Sequence, residues 1–281
     1  MMRAPLYTDI AQAPAGGQAH WRMCSDGVRI RVAHWVAENA KGTVILCPGR
    51  TEYIEKYGRA VAEFLASGLS VIVNDWRGQG LADRLVPNRL LGHVKRFSDY
   101  QHDVREITQY ADDLGLSKPY HLVAHSMGGC ITLRSLMTGL AAKTATFSGP
   151  MWGIELSRAM RTAAWSATTV LNPLPLRNHL SPGADPRPMM ETADFADNLL
   201  TEDPEYYEFM VDQTRQVTDL ALAGPTIGWL HGALREMRRL SKRPSPKVPC
   251  LTFVGTAEDI VDPNRIGQRM AQWGNGQLIT V

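Results

Sequence analysis

The feature that most constrains this chain is a regular alternation of short β-prone runs with amphipathic helical stretches. RIRVAHWV (29–36), TVILCP (43–48), LSVIVND (69–75), YHLVAHS (120–126) and TATFSG (144–149) read as strands. IEKYGRAVAEFLASG (54–68), FSDYQHDVREITQYADDLG (97–115) and MGGCITLRSLMTGL (127–140) read as helices between them. Strands separated by helices return in parallel, so the alternation predicts an α/β fold: a largely parallel sheet with helices on both faces. After Pro150 the rhythm changes. Trp152, Trp165, Trp229 and several Met and Leu residues recur at helical spacings, and PLPLRNHLSPGADPRP (173–188) interrupts them as a loop. The βα pattern resumes with VPCLTFVG (248–255), a helix over DPNRIGQRMAQWG (262–274) and a last strand, GQLITV (276–281). The organisation expected is a core over 1–150, a helical insertion over 151–246 and a second core segment over 247–281.

With 30 Lys and Arg against 28 Asp and Glu, a net charge of +2, the 281 residues give no electrostatic case for nucleic acid or for an acidic partner. Cys24, Cys47, Cys130 and Cys250 lack CxxC or metal-finger spacing, so buried free thiols are expected. No basic segment followed by an apolar stretch of signal-peptide length opens the chain, and no window reaches the apolar length of a membrane helix. The expected location is the cytoplasm.

In HLVAHSMGG (121–129) a strand runs straight into a helix with Ser126 at the junction. A serine on such a tight turn presents its hydroxyl above the carboxyl ends of the strands, the arrangement of a nucleophile elbow. The crowded turn needs small residues two before and two after, which Ala124 and Gly128 supply. The N–H groups opening the helix point where an oxyanion would form. A second N–H has to come from the loop after TVILCP, where Gly49 lets the backbone approach closely; Arg50 and Met127 are the expected oxyanion-hole pair. His125 is expected to project away from the serine hydroxyl and to serve packing or hydrogen bonding. NDWRGQGLADR (74–84) reads as a structural loop beside the site, with Asp75 paired to Arg77.

The motifs PGRTEYIEKY, DWRGQG, GHVKRFSDY and AHSMGG, in that order, followed by LLTEDPEYY and TIGWLHGAL in the insertion, resemble the α/β-hydrolases of the monoacylglycerol lipase and bacterial lysophospholipase type, within the serine aminopeptidase-like superfamily. The resemblance implies an α/β-hydrolase fold with a helical cap. It also implies a Ser, acid, His triad in that chain order and hydrolysis of a monoacyl lipid ester through an acyl-enzyme, without metal or organic cofactor. The nucleophile falls on Ser126, and the acid on GTAEDIVDP (255–263), where the family spacing selects Glu258 with Asp259 the next choice. The family histidine lies just beyond the strand that here reads GQLITV. None of the eight histidines present holds that position. Three readings follow: a fragment of a longer hydrolase, which is the first choice; a truncated and nearly inactive protein; or a substitute from the cap, His179 or His231. A peptidase or amidase of the same fold and an inactive hydrolase-like binding protein are the alternatives to lipid hydrolysis.

The Trp, Met and Leu content of the cap suits an acyl pocket, with the 173–188 loop as a gate. The basic run REMRRLSKRPSPK (235–247) reads first as a helix whose last turns carry cations. Its second reading is a weak peripheral contact with an anionic membrane surface.

Overall fold

The computed structural model describes residues 2–191 and 194–281, and for Arg158 the backbone alone. A short helix, α1 (Thr8–Ala11), precedes β1 (Gln18–Met23), β2 (Arg29–Trp35) and β3 (Thr43–Cys47). A 3₁₀ turn over Ile54–Tyr57 leads into α2 (Gly58–Ala66), followed by β4 (Ser70–Asp75), α3 (Tyr100–Asp113), β5 (Tyr120–His125), α4 (Met127–Met137) and β6 (Thr144–Ser148). The inserted segment carries α5 (Arg158–Leu171), α6 (Pro204–Gln216) and α7 (Ile227–Ser241), and the chain finishes with β7 (Cys250–Val254), α8 (Pro263–Met270) and β8 (Gly276–Thr280).

The eight strands form one sheet in the order β1-β2-β4-β3-β5-β6-β7-β8. From β4 to β8 every pairing is parallel, while β1 pairs β2 and β2 pairs β4 in antiparallel fashion. Strand β1, QAHWRM, goes beyond what the sequence predicts. It has no β-branched residue and is held at the sheet edge by its register with β2, Gln18 opposite His34 through Met23 opposite Arg29. The antiparallel entry also corrects the Asp75 to Arg77 pairing. Arg31 of β2 lies directly opposite Asp75 of β4, and its Nε reaches the Asp75 carboxylate at 2.7 Å while Nη2 reaches Glu55 at 2.6 Å, all three side chains fully buried. Arg77 turns the other way, to Asp103 at 2.7 Å and Asp26 at 2.6 Å.

Central strands β3 and β4, TVILC and SVIVND, are buried at every position, as parallel strands covered on both faces must be. Strands β5 and β7 alternate buried and half-buried residues. Their buried face joins α3, α4, α7 and α8 in the larger core, around Trp76, Tyr100, Phe147 and Trp152. On the opposite face a smaller core packs α2 and the N-terminal residues against Trp35, Val44, Leu46 and Val73. That face remains half-exposed along β5 to β7, at Val123, Thr146, Leu251 and Phe253. The four cysteines are free and buried.

The cap helices start at sequence-encoded N-caps: Ser157 accepts from Met160 N, Asp203 from Glu205 N and Tyr206 N, and Thr226 from Trp229 N. Helix α7 is anchored to the core through Trp229 Nε1 donating to Tyr100 Oη (3.1 Å) and the Arg134–Glu236 ion pair (2.6 Å). Helix α6 is held by Gln213 Nε2, which donates to the backbone oxygens of Ile10 and Glu55. In the basic run, the Arg238 guanidinium lies 5.5 Å from the Trp165 ring and Arg243 donates to the Met137 carbonyl, so part of that charge serves packing. Among the described residues no helix is long and apolar enough to cross a membrane.

Replacing Arg31 by Met leaves Asp75 and Glu55 buried without their cation. Urea unfolding is expected to show a loss of about 3–5 kcal/mol, and a loss below about 1 kcal/mol would show that the charge network does not hold the antiparallel entry to the sheet.

Candidate active site

The carboxyl ends of the parallel strands open under the cap into a cavity of about 340 Å³, and Ser126, Arg50 and Glu258 all line it. Ser126 sits between β5 and α4 with φ +48° and ψ −116°, a conformation that a non-glycine residue adopts only when its surroundings impose it. The surroundings are explicit. Ser126 N donates to the Ser148 carbonyl on β6 (3.0 Å), and the Ser126 carbonyl accepts from both Gly129 N and Met151 N (2.9 Å each). A Cβ on Gly128 would run into the carbonyl oxygens of Cys47 and Pro48, and one on Gly129 would lie 2.7 Å from the Pro150 ring. Ala124 is buried between Cys47 and Phe147 of the neighbouring strands. Small residues are needed here because the turn lies against the end of β3.

That strand end carries the second half of the site. Gly49 N donates to the Glu52 carboxylate, and Gln79 Nε2 clamps the loop by donating to the carbonyls of Gly49 (2.7 Å) and Glu52 (2.8 Å). Trp76 Nε1 donates to the Pro48 carbonyl at 2.8 Å. DWRGQG therefore fixes the loop that presents Arg50. Within it a Cβ at Gly80 (φ +54°) would collide with the Asp75 carboxylate. Neither Arg50 N nor Met127 N donates to a protein acceptor among the described residues, as an oxyanion-binding pair requires.

Glu258 lies on the loop after β7. Its Oε1 accepts from Ile260 N (2.9 Å) and Val261 N (3.0 Å), which fixes the carboxylate against the cavity wall. Asp259 is exposed and does not line the cavity, so the two acidic candidates are separated by geometry.

Of the histidines, His125 alone among the described residues lines the cavity. Its Nε2 is 3.6 Å from Glu52 Oε1. Lost solvation draws its pKa below the ordinary imidazole value, against the attraction of Glu52. The cap histidines stand elsewhere. His231 packs in α7 with Nδ1 3.4 Å from Thr168 Oγ1, and His179 follows the 3₁₀ turn of the 173–188 loop, its carbonyl accepting from Ile227 N. No group of three or more His, Cys, Asp or Glu among the described residues is placed to hold a metal ion.

The residues that sequence reasoning missed are Glu52, Lys56 and Tyr57. Glu52 is buried and accepts from Gly49 N, Lys56 Nζ and Tyr57 Oη. The spacing of Glu52 and Lys56, four apart in EYIEKY, is the one signal that could have revealed the pair. Burial alone would raise the Glu52 pKa, but Lys56, His125 and Tyr57 overcome it and hold the carboxyl at about 2. An unfolded glutamate titrates near about 4.3, so the native state favours the ionised form. The stability this gives is complete above the unfolded value and is lost as pH falls towards about 2. Glu52→Gln is expected to flatten the acid limb of a stability-versus-pH curve between about pH 5 and 2; an unchanged acid limb would contradict this network.

With this geometry established, the relatives can be placed. The family described as "Serine aminopeptidase, S33" matches residues 38–277. Lysophospholipase L2 of Escherichia coli strain K12 is 28% identical over 250 residues, covering 88% of this chain and 72% of that one. Probable lysophospholipase L2 of Haemophilus influenzae is 29% identical over 236 residues, covering 83% and 73%. Among solved structures, a soluble variant of monoglyceride lipase from Saccharomyces cerevisiae, in complex with a substrate analog, superposes with a TM-score of 0.70 at 19% identity, covering 93% of this chain and 84% of that one. A carboxyl esterase from Bacillus coagulans gives 0.74 at 13% identity, covering 95% and 90%. This chain has the α/β-hydrolase fold and belongs to the serine aminopeptidase S33 family.

Proposed function

We propose that the protein is a serine hydrolase of monoacyl lipid esters, lysophospholipids or monoacylglycerols, working through an acyl-enzyme on Ser126. The observation that carries this reading is the strained serine opening into an apolar cavity beside two unpartnered backbone amides. Met151, Met189, Leu200, Leu222 and Trp229 line that cavity, and a wall of this kind favours an acyl chain over a peptide's repeating amides. The lysophospholipase and monoglyceride lipase names of the relatives support a lipid ester substrate. In the proposed cycle Ser126 Oγ attacks the ester carbonyl and the Arg50 and Met127 amides hold the oxyanion. The alcohol then leaves, and water releases the fatty acid.

The serine proton must pass to an imidazole that Glu258 orients. His125 is the imidazole closest in sequence, and its approach to Glu52 favours a second reading, a lipid-binding protein of this fold with little turnover. The experiment measures fatty-acid release from a lysophospholipid and from a monoacylglycerol, amine release from an aminoacyl amide, and lipid binding, each with and without free imidazole. Ester cleavage that imidazole raises, and that Ser126→Ala reduces to background with imidazole present, is the expected result. Cleavage of the amide alone would move the assignment to a peptidase. Lipid binding without turnover under either condition would establish the binding protein.

A further inference from the structure

Of the lysine and arginine side chains that line the cavity among the described residues, Arg50 is the one without a carboxylate partner. Glu52 is neutralised by Lys56, and the Glu258 carboxylate is held by two backbone amides. Arg50 has no carboxylate within ion-pair range among the described residues. Its guanidinium leaves the oxyanion loop towards the cap, where Nη2 donates to the Ala223 carbonyl and Cζ lies 5.3 Å from the Trp229 ring. A Cβ on Gly92 would be 2.9 Å from Nη2, so the backbone there is shaped around the guanidinium. Nε is buried and has no acceptor. A half-buried guanidinium with one neutral acceptor is an expensive arrangement. Burial accordingly pulls its pKa down to about 10, which leaves it cationic at neutral pH.

A cation without a carboxylate, sharing its cavity with Met, Leu and Trp side chains, selects for an anion that arrives attached to apolar matter. Planar guanidinium donors match the oxygens of a phosphate, and Arg50 lines the cavity that Ser126 opens into. We propose that the Arg50 side chain receives the phosphate of a monoacyl lipid headgroup, and so makes a lysophospholipid rather than a neutral monoacylglycerol the preferred ligand of this cavity. The inference rests on the lipid-ester reading for its choice of ligand, but binding tests it without turnover.

The probes are a short-chain alkyl ether of glycerol phosphate, which has no ester to cleave, the same alkyl glycerol without phosphate, and inorganic phosphate, each titrated calorimetrically below its aggregation concentration. Wild-type protein is expected to bind the phosphorylated ether tenfold to a hundredfold more tightly than the phosphate-free ether, on the order of a hydrogen-bonded charge contact. That preference is expected to weaken with salt, to collapse in Arg50→Gln and to recover in part in Arg50→Lys. Equal binding of the two ethers by the wild type overturns the proposal, and needs no variant that folds. A preference that survives in Arg50→Gln overturns the assignment to this residue. Inorganic phosphate binding as tightly as the phosphorylated ether overturns the lipid headgroup in favour of a free-anion site. Failure of ester hydrolysis alongside an intact, Arg50-dependent preference would sink the enzymatic reading and leave this one standing.

Discussion

Everything at the site depends on the strained turn at Ser126. A non-glycine residue at φ +48° stores about 1–3 kcal/mol, and the turn persists because its neighbours leave it no alternative. Ser126 N is tied to β6, its carbonyl to Gly129 and Met151, and Gly128 lies against the last carbonyls of β3. These contacts join three parallel strands at their carboxyl ends. A shift of β3 relative to β5 would at once relax the elbow and move the loop that presents Arg50. The parallel sheet thus sets Ser126 and the loop carrying Arg50 at the carboxyl ends of neighbouring strands, on one cavity.

The sheet's antiparallel entry and the loops around the site are locked by charge rather than by apolar packing alone. Arg31 joins Asp75 and Glu55 next to the loop after β3, and Arg77 of DWRGQG joins Asp26 and Asp103. Such networks are specific because each buried cation has its own carboxylates, and a shifted strand would leave one unpaired. Two arginines depart from that rule: buried Arg269 donates only to neutral oxygens, and half-buried Arg50 lines a cavity with Met, Leu and Trp side chains and with Glu52 and Glu258, neither of them within ion-pair range of it. Apolar side chains from the cap and the Arg50 cation from the loop after β3 thus line one cavity with Ser126, the combination on which the proposed phosphorylated-lipid ligand rests.

Much of this was legible in the sequence, for identifiable reasons. Runs such as TVILC and SVIVND announce strands buried on both faces, and AHSMGG places a serine at a strand-to-helix junction whatever the tertiary context. The alternation of types fixes the parallel half of the sheet. Strand β1 was not legible because QAHWRM has weak intrinsic preference and becomes a strand through its partner. The pairing of Asp75 with Arg31, and not with Arg77, was hidden for the same reason: it depends on a register set by residues far apart in the chain. Glu52 precedes the predicted helix and Lys56 lies in its first turn, so beyond their spacing nothing local marks them as a pair, and only the fold shows them together against the cavity.

The central claim is that the fold activates Ser126 as a nucleophile. A fluorophosphonate probe, which reacts with an activated serine without needing the right substrate, tests it most directly when the adduct is located by peptide mass. The account predicts labelling confined to Ser126, raised by free imidazole and absent in Ser126→Ala. A folded protein that remains unlabelled with imidazole present, or labelling at another serine, would contradict it.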